Sequence, residues 1–297
     1  MSDAVIVDRG YRSYEGPRLG RRGAIAAIVR ESMRRALGLR RKARRKILPW
    51  SLIAMAIISV AALVGLHWAA ARVGIGGIVA SRLPGYGQYF DIISRIALLF
   101  IAFITPQLLA PDRREGVLAV YFSRPLRPVD YLGAKFAALG ILVMGFYVVP
   151  EFVFHISLAT LDPEGFFPYL GANLDVLWQV AFVAFVYSIA YISVAFAVAA
   201  FVPRTGLAAG VFLGIMIILN QIVAAIVELG TFPGSRYVAL LALEEHPRIV
   251  RDWVFGITTG EYTPRVAGFD PWVSLAVVGA LFVLVAVGVS ERYRRLT

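Results

Sequence analysis

The sequence predicts an all-α membrane protein with six transmembrane helices, and three observations lead to this fold class. Of its 297 residues, 59% are hydrophobic and only 16% are charged, which is too apolar for a soluble domain of this size. The apolar residues are gathered into six runs, and four of these exceed the roughly 20 residues that a helix needs to cross the hydrocarbon core. The basic residues fall mainly on every second loop, as they do in proteins that cross a membrane several times.

Residues 1–46 are predicted to form a cytoplasmic lead that ends in a basic amphipathic helix over 22–39. The apolar residues of this helix share one face. Its charged residues fall on the other face: Arg30, Glu31, Arg34 and Arg35. A basic cluster at 40–46 follows, and each such base contributes about 1 kcal/mol of attraction to an anionic leaflet. We therefore expect the helix to lie in the inner interface, as a topology anchor or as a brace for a cytoplasmic partner.

Residues 47–297 are predicted to form one transmembrane domain. Its expected spans are 47–70, 89–110, 130–152, 176–202, 205–228 and 271–290. The second and third spans reach full length only if Arg95, Lys135 or Glu151 lies near an interface, where long side chains reach the headgroups. The other polar residues considered in the spans are Gln179, Asn220, Gln221 and Glu228. We expect most of these to lie near an interface as well.

The distribution of basic residues predicts which side of the membrane each loop faces. Of the 30 Lys and Arg residues, 23 lie in 1–47, in 111–135, at Arg204 or in the C-terminal tail. The positive-inside rule places these segments and both termini in the cytoplasm. We therefore expect a multi-pass protein of the cell (inner) membrane, in contact with lipids. Because this arrangement accounts for the net charge of +11, no nucleic-acid partner is expected.

The sequence lacks the residue patterns that usually bind a nucleotide or a metal ion or supply a reactive thiol. It has no cysteine and no glycine-rich Gly-Lys-Ser/Thr loop to hold a nucleotide. Its three histidines are too far apart to share a metal ion: His67, His155 and His246. We therefore expect no catalytic residue, cofactor or metal on this chain.

The loop between the second and third spans is the most informative segment. Pro111 suits the first position of a helix, and Asp112 and Glu115 suit its positive end. Two later prolines would stop that helix, so a short coupling helix over 111–123 is predicted at the cytoplasmic mouth. Its apolar side would be exposed unless a partner covered it, although the loop could also be a simple connector.

The order of residues in this loop is similar to that in a known family. An acidic residue, two basic residues and Glu115-Gly116 are followed by an apolar stretch, by Ser123-Arg124-Pro125 and by a second basic-Pro turn. Tyr131-Leu-Gly-Ala-Lys135 then opens a helix. This order resembles the first cytoplasmic loop of ABC-2 type transporter permeases, and the six spans and cytoplasmic termini match as well. Val117 departs from the family, which often has Thr after the glycine.

The resemblance implies a permease subunit of an ATP-driven exporter. A separate ABC ATPase subunit would bind ATP and Mg and hydrolyse the nucleotide, and a second copy of the permease would complete the assembly. The residues implied to couple the permease to the ATPase are Asp112, Arg113, Arg114, Glu115, Gly116, Val117, Val120, Tyr121 and Arg124. The alternative is a non-transporting scaffold or a lipid-modifying membrane enzyme. The substrate stays open.

The fifth span carries a stripe of small and polar residues. Gly206, Gly210 and Gly214 repeat at every fourth position, and Gln221 and Glu228 fall on the same face of an ideal helix. Small residues at this spacing let two helices approach closely. The stripe is therefore expected to pack against a helix of the same chain, to join two permease subunits or to line a pathway.

Overall fold

The computed structural model describes residues 20–39, 43–73, 83–116, 118, 121, 126–230 and 232–295, apart from the side chains of Arg44 and Arg45. These residues form helices, turns and loops, and no β-strand. The α-helices are α1 (Gly20–Ala36), α2 (Arg44–Arg72), α3 (Tyr86–Arg114), α4 (Pro128–Leu161), α5 (Phe166–Ala172), α6 (Asp175–Phe201), α7 (Thr205–Leu213), α8 (Asn220–Leu229), α9 (Glu245–Phe255), α10 (Thr263–Val266) and α11 (Pro271–Arg294). A π segment (Gly214–Leu219) joins α7 to α8, and a 3₁₀ helix (Ser235–Leu241) precedes α9.

Six helices are long and apolar enough to cross a membrane, which confirms the predicted fold class of a multi-pass all-α protein. They are α2, α3, α4, α6, the continuous fifth span (Thr205–Leu229) and α11. The third span differs most from its prediction, because α4 continues past 152 to Leu161. Glu151, which is expected near an interface if the third span is to reach full length, is completely buried inside the bundle. The helix ends only where Asp162 precedes Pro163, a position that disfavours helical backbone.

The centre of the bundle is formed by α3 and α6. These two helices pack on each other and on α4, while α2, the fifth span and α11 lie at the periphery. Stacked aromatic rings fill the space between α3, α4 and α6. The ring centroid of Phe90 lies 5.8 Å from that of Tyr147 and 5.7 Å from that of Tyr187. Offset rings at such distances add about 0.5–1.5 kcal/mol per pair beyond their burial.

Successive spans run in opposite directions, so the bundle has two distinct ends. The basic end carries α1, the segment after α3, the link between α6 and α7, and the last residues of α11. The distal end carries α5, the 3₁₀ helix, α9 and α10. The 3₁₀ helix, α9 and α10 all lie between the fifth span and α11. Which membrane surface each end faces stays a prediction.

The N-terminal helix α1 packs on the bundle. Its residues Ile28, Ser32 and Ala36 are buried, and it contacts α3 and α4. Arg21 also donates hydrogen bonds of 2.6 and 2.9 Å to the Asp130 carboxylate at the start of α4. A helix is therefore present over Gly20–Ala36, and its buried face contacts other helices of the chain. An amphipathic helix over 22–39 that lies in the inner interface stays a prediction.

At the distal end, α9 carries a buried arginine. Arg251 is 2% exposed, and its guanidinium lies 2.5 Å from Asp91 of α3. The same group donates hydrogen bonds of 2.5 and 2.9 Å to Asp252 and one of 2.7 Å to Tyr262. Burial raises the pKa of the Asp252 carboxyl, whereas the charge of Arg251 lowers it. This network holds α9 to α3.

Replacing Arg251 tests this anchor. We expect Arg251→Met to lower the free energy of unfolding by about 3–5 kcal/mol, because it leaves the buried Asp252 carboxylate without its closest cation. Thermal unfolding in detergent measures the change. Arg236→Met is the matched control, since the Arg236 guanidinium stacks on the exposed ring of Tyr237 and donates a hydrogen bond of 2.8 Å to its hydroxyl. Equal melting temperatures for the two variants would show that the network contributes no stability.

Candidate functional site

Asp112 joins three helices at the basic end. Its carboxylate accepts hydrogen bonds from Arg35 of α1 at 2.5 Å, and from Lys135 and Tyr131 of α4 at 2.8 Å each. Lys135 also donates to the carbonyl of Leu108 at 3.0 Å. Asp112 and Leu108 share a face of α3, as Tyr131 and Lys135 share a face of α4, because each pair is four residues apart.

The charged groups of this junction are buried. The side chain of Asp112 is 1% exposed and that of Lys135 is 2% exposed. Burial by itself lowers the pKa of the Arg35 guanidinium, but the charge of Asp112 and its hydrogen bond raise the pKa more strongly. The expectation that Lys135 reaches an interface is therefore wrong, because its ammonium group pairs inside the bundle. The Asp112 carboxylate is not exposed to a partner protein.

Arg113 is also held within the chain. Its guanidinium donates to the carbonyls of Ala199, Ala200 and Val202, where α6 ends. The last carbonyls of a helix have no partner inside that helix and carry partial negative charge, so an arginine satisfies them well. Arg113 therefore ties the end of α3 to the end of α6.

The second span ends in a projecting tip, defined here as Arg114, Glu115 and Gly116. The side chains of Arg114 and Glu115 are 75% and 59% exposed. Gly116 adopts a φ of +67°, a left-handed conformation that ends helices and that glycine tolerates best. Helix α3 therefore ends here, and the predicted start of a separate helix at Pro111 is wrong. The pairing of Asp112 holds this last turn in α3 and outweighs the local start signal.

The rest of the predicted coupling segment is described only in part. Leu118 and Tyr121 are helical, Leu118 is buried, and the Tyr121 ring lies 5.4 Å from that of Tyr131. Val117, Val120 and Arg124 lie outside the described residues.

A groove of about 570 Å³ opens beside the tip. It lies between α2, α3 and the first turn of α7, and its lining includes Leu48, Phe103, Gln107, Arg114, Glu115 and Gly206. Its floor belongs to a stripe of α3 that carries the exposed residues Ile92, Arg95, Leu99, Phe103 and Arg114 and the half-buried Gln107. Because these residues recur at helical spacing, the stripe continues from the groove towards the distal end. It places Arg95 on the outside of the bundle.

The glycine stripe of the fifth span is not packed against another helix of the described chain, although Gly206 borders the groove. A Cβ atom added at Gly206, Gly210 or Gly214 would have no other group of the described chain within 4 Å. The opposite face of the span is the buried one, and it carries Ala208, Phe212, Met216, Asn220 and Val223. Packing of the stripe inside the protomer, one of the predicted alternatives, is therefore not found in the described residues.

The π segment interrupts the fifth span at the last of the three stripe glycines. It begins at Gly214, and Gln221 and Glu228 remain exposed beyond it. Asn220 is buried and donates a hydrogen bond of 2.8 Å to Glu245 at the start of α9. Asn220 therefore pairs inside the chain. The wider turn of a π segment is frequent at functional sites.

The predicted site residues thus separate into two groups. Asp112 and Arg113 form internal contacts, whereas the tip and the glycine stripe are exposed. Sequence reasoning missed Arg35, Tyr131 and Lys135 as partners of Asp112. The four-residue spacing of Tyr131 and Lys135 in a predicted span was the available signal, since it places both side chains on one face.

Substitution at Asp112 tests whether this residue stabilises the fold through its buried pairing or only offers a contact at the surface. We expect Asp112→Asn to lower the free energy of unfolding by about 3–5 kcal/mol, because Arg35 and Lys135 then remain buried without their carboxylate. The double variant with Lys135→Met removes one of these charges. We expect it to be more stable than Asp112→Asn alone.

The measurement is thermal unfolding in detergent, with Glu115→Gln as the control at an exposed carboxylate. A substitution at such a surface position changes stability by no more than about 0.5 kcal/mol. Additive effects of the two substitutions in the double variant would contradict a direct pairing.

The chain matches no protein-family model and no curated protein. The relationship to ABC-2 type permeases therefore stays a prediction from the residues of 111–135 and the six-span architecture.

Proposed function

We propose that the chain is the permease subunit of an ATP-driven ABC-2 type exporter, in which two permeases work with two separate ATPase subunits. The single observation that carries this proposal is the exposed stripe of α3. An arginine that faces lipid within a span is costly, by about 2.5–3.5 kcal/mol at the centre of the span. The exposed position of Arg95 is better explained if this face borders a water-filled pathway or another subunit.

The groove at the basic end supports the same function. It combines apolar side chains such as Leu48 and Phe103 with polar groups such as Gln107 and Arg114. Polar residues within membrane helices usually mark the route of a substrate or an ion. We therefore assign the cleft between α2 and the fifth span, with α3 as its floor, to substrate entry and passage.

A second permease would pack on the glycine stripe. Glycine costs about 1 kcal/mol relative to alanine in a helix, and a span that faces only lipid gains nothing in return. Close contact with a helix of another subunit offsets this cost through van der Waals packing. The outward direction of Gly206, Gly210 and Gly214 supports this partner over packing inside the protomer.

The ATPase would bind at the tip of α3. The positive-inside rule places the basic end in the cytoplasm, where a soluble ATPase with its ATP and Mg is available. Arg114 and Glu115 are exposed there, and Leu118 and Tyr121 continue the segment. Because α3 is one helix from the tip to the distal end, a displacement of the tip on ATP binding would move the floor of the cleft directly.

Reversal of charge at the tip tests the ATPase contact. We expect Glu115→Arg to reduce ATP-driven transport at least about tenfold, since a like charge placed across an interface costs several kcal/mol. Purified permease with its co-purifying ATPase, reconstituted in liposomes, provides the assay. Folding and membrane insertion should be unchanged because the side chain is 59% exposed.

The control for this experiment is Glu164→Arg, which reverses an exposed carboxylate at the distal end. Wild-type transport by Glu115→Arg would make the segment after α3 a connector. The absence of any ATPase that co-purifies with the wild-type chain would favour the scaffold or lipid-modifying enzyme instead.

A larger side chain in the glycine stripe tests whether a second permease packs on it. We expect Gly210→Leu to abolish dimerisation and transport, because the added side chain prevents close approach of the two helices. The monomer itself should become more stable, by about 0.5–1 kcal/mol, since leucine has the higher helix propensity. Native mass spectrometry and cross-linking of Gly214→Cys measure the association.

Gly279→Leu is the matched control, since Gly279 is also an exposed helical glycine and has no neighbour within 4 Å. A Gly210→Leu variant that stays dimeric, together with no intersubunit cross-link at Gly214→Cys, would show that the stripe is not the permease interface.

A further inference from the structure

Glu151 lies inside the bundle on α4, and the proposed transport mechanism does not use it. It is fully buried, and neither of its carboxylate oxygens has a hydrogen-bond partner among the described residues. An ionised carboxylate in an apolar interior is so costly without a partner that the group takes up a proton instead. The expectation that Glu151 reaches a membrane interface is thus replaced by a deeply buried carboxyl group.

The surroundings of Glu151 are mostly aromatic. The titratable groups that face this region are His67 of α2, Tyr86 and Tyr89 of α3, Tyr147 and His155 on the adjacent turns of α4, Tyr187 of α6 and Arg251 of α9. The tyrosines are neutral at physiological pH. Arg251 is the one cationic group among these neighbours with a permanent charge.

Arg251 already forms ion pairs with two other carboxylates. Its guanidinium pairs with Asp91 at 2.5 Å and with Asp252 at 2.5 Å, and it donates to Tyr262. Arg248 also pairs with Asp91 and Glu244, and Arg265 with Asp252, so the arginines of this network are matched by its own carboxylates. Glu151 has no ion-pair partner among the described residues, and burial without such a partner favours its neutral form.

A hydrogen-bonded chain connects the next turn of α4 with the distal end. The Tyr86 hydroxyl lies 2.8 Å from Nδ1 of His155 and 2.8 Å from the hydroxyl of Tyr169 on α5. Each hydroxyl can donate to one neighbour while it accepts from the other, so the chain can carry a proton in either direction. His155 is four residues after Glu151, which places their Cβ atoms about 5–6 Å apart on one face.

We propose that Glu151 is a proton-binding site that exchanges its proton with the distal end through His155, Tyr86 and Tyr169. A proton that enters at Tyr169 displaces the next one along the chain as far as the His155 ring. Because Glu151 has no hydrogen-bond partner among the described residues, the last transfer requires the His155 and Glu151 side chains to come into contact, after which the proton forms an O–H bond with the Glu151 carboxylate. Each relay group gives one proton and receives one, so only Glu151 changes its charge. Removal of this proton would place a bare charge between α3 and α4 and would disfavour their present packing.

Infrared difference spectroscopy of the full chain in lipid nanodiscs tests the site. At neutral pH we expect the carbonyl band of a protonated carboxylic acid, and we expect Glu151→Gln to remove it. Glu164→Gln is the control, since it removes an exposed carboxylate and should leave the band unchanged. Loss of a carboxylate band in Glu151→Gln, with the acid band retained, would show that Glu151 is ionised and would overturn the proposal.

The stability of Glu151→Gln provides a second measurement. Glutamine resembles a protonated glutamic acid in shape and charge, so the variant should melt at the wild-type temperature or above it. A variant that melts well below the wild type, or fails to fold, would indicate that the native packing needs the negative charge. Either result would contradict proton binding.

The relay is tested through proton exchange. Tyr86→Phe keeps the ring contact with Phe154, at 5.3 Å, but removes the hydroxyl that joins His155 to Tyr169. After transfer to D₂O, we expect the Glu151 acid band to shift several-fold more slowly in this variant, without a change in melting temperature. Tyr237→Phe, at an exposed tyrosine, is the control. An unchanged exchange rate in Tyr86→Phe would remove the relay from the proposal.

Discussion

The pairing of Asp112 with Arg35, Lys135 and Tyr131 is the interaction on which the basic end of this protein depends. A buried charge is tolerated only when an opposite charge and further hydrogen bonds accompany it, and here one carboxylate receives two cations and a hydroxyl. Helices α1, α3 and α4 can pack together only in the arrangement that satisfies all of these groups. The tip of α3 projects from the bundle because the preceding turn is fixed in this way.

Helix α3 links the features that matter for function. One end bears Asp112 and the exposed tip, the middle bears the exposed stripe with Arg95, and the other end bears Asp91 and Tyr86. It is also one of the two central helices of the bundle. A long helix with close packing on several sides moves as a unit, since packed interiors deform little. Binding at the tip and events at the distal end are therefore mechanically connected.

The peripheral helices have outward faces that no other described helix of the chain covers. Between helices in a bilayer there is little hydrophobic driving force, because lipid tails are as apolar as leucine. An outward stripe of glycines on the fifth span is therefore informative, whereas outward leucines or isoleucines are not. The polar residues of the spans are distributed in the same selective way. Lys135, Glu151 and Asn220 face inwards, and Arg95 faces out of the bundle.

The sequence by itself determined the six apolar helices, because length and hydrophobicity are local properties of a segment. It could not determine where the polar side chains point. Whether Lys135 or Glu151 meets lipid, water or another helix depends on residues distant in sequence, and so does the choice between packing and exposure for Gly210. Local signals also failed at Pro111, where a helix start was predicted. There the tertiary pairing of Asp112 stabilises a continuous α3 more strongly than a helix-start preference opposes it.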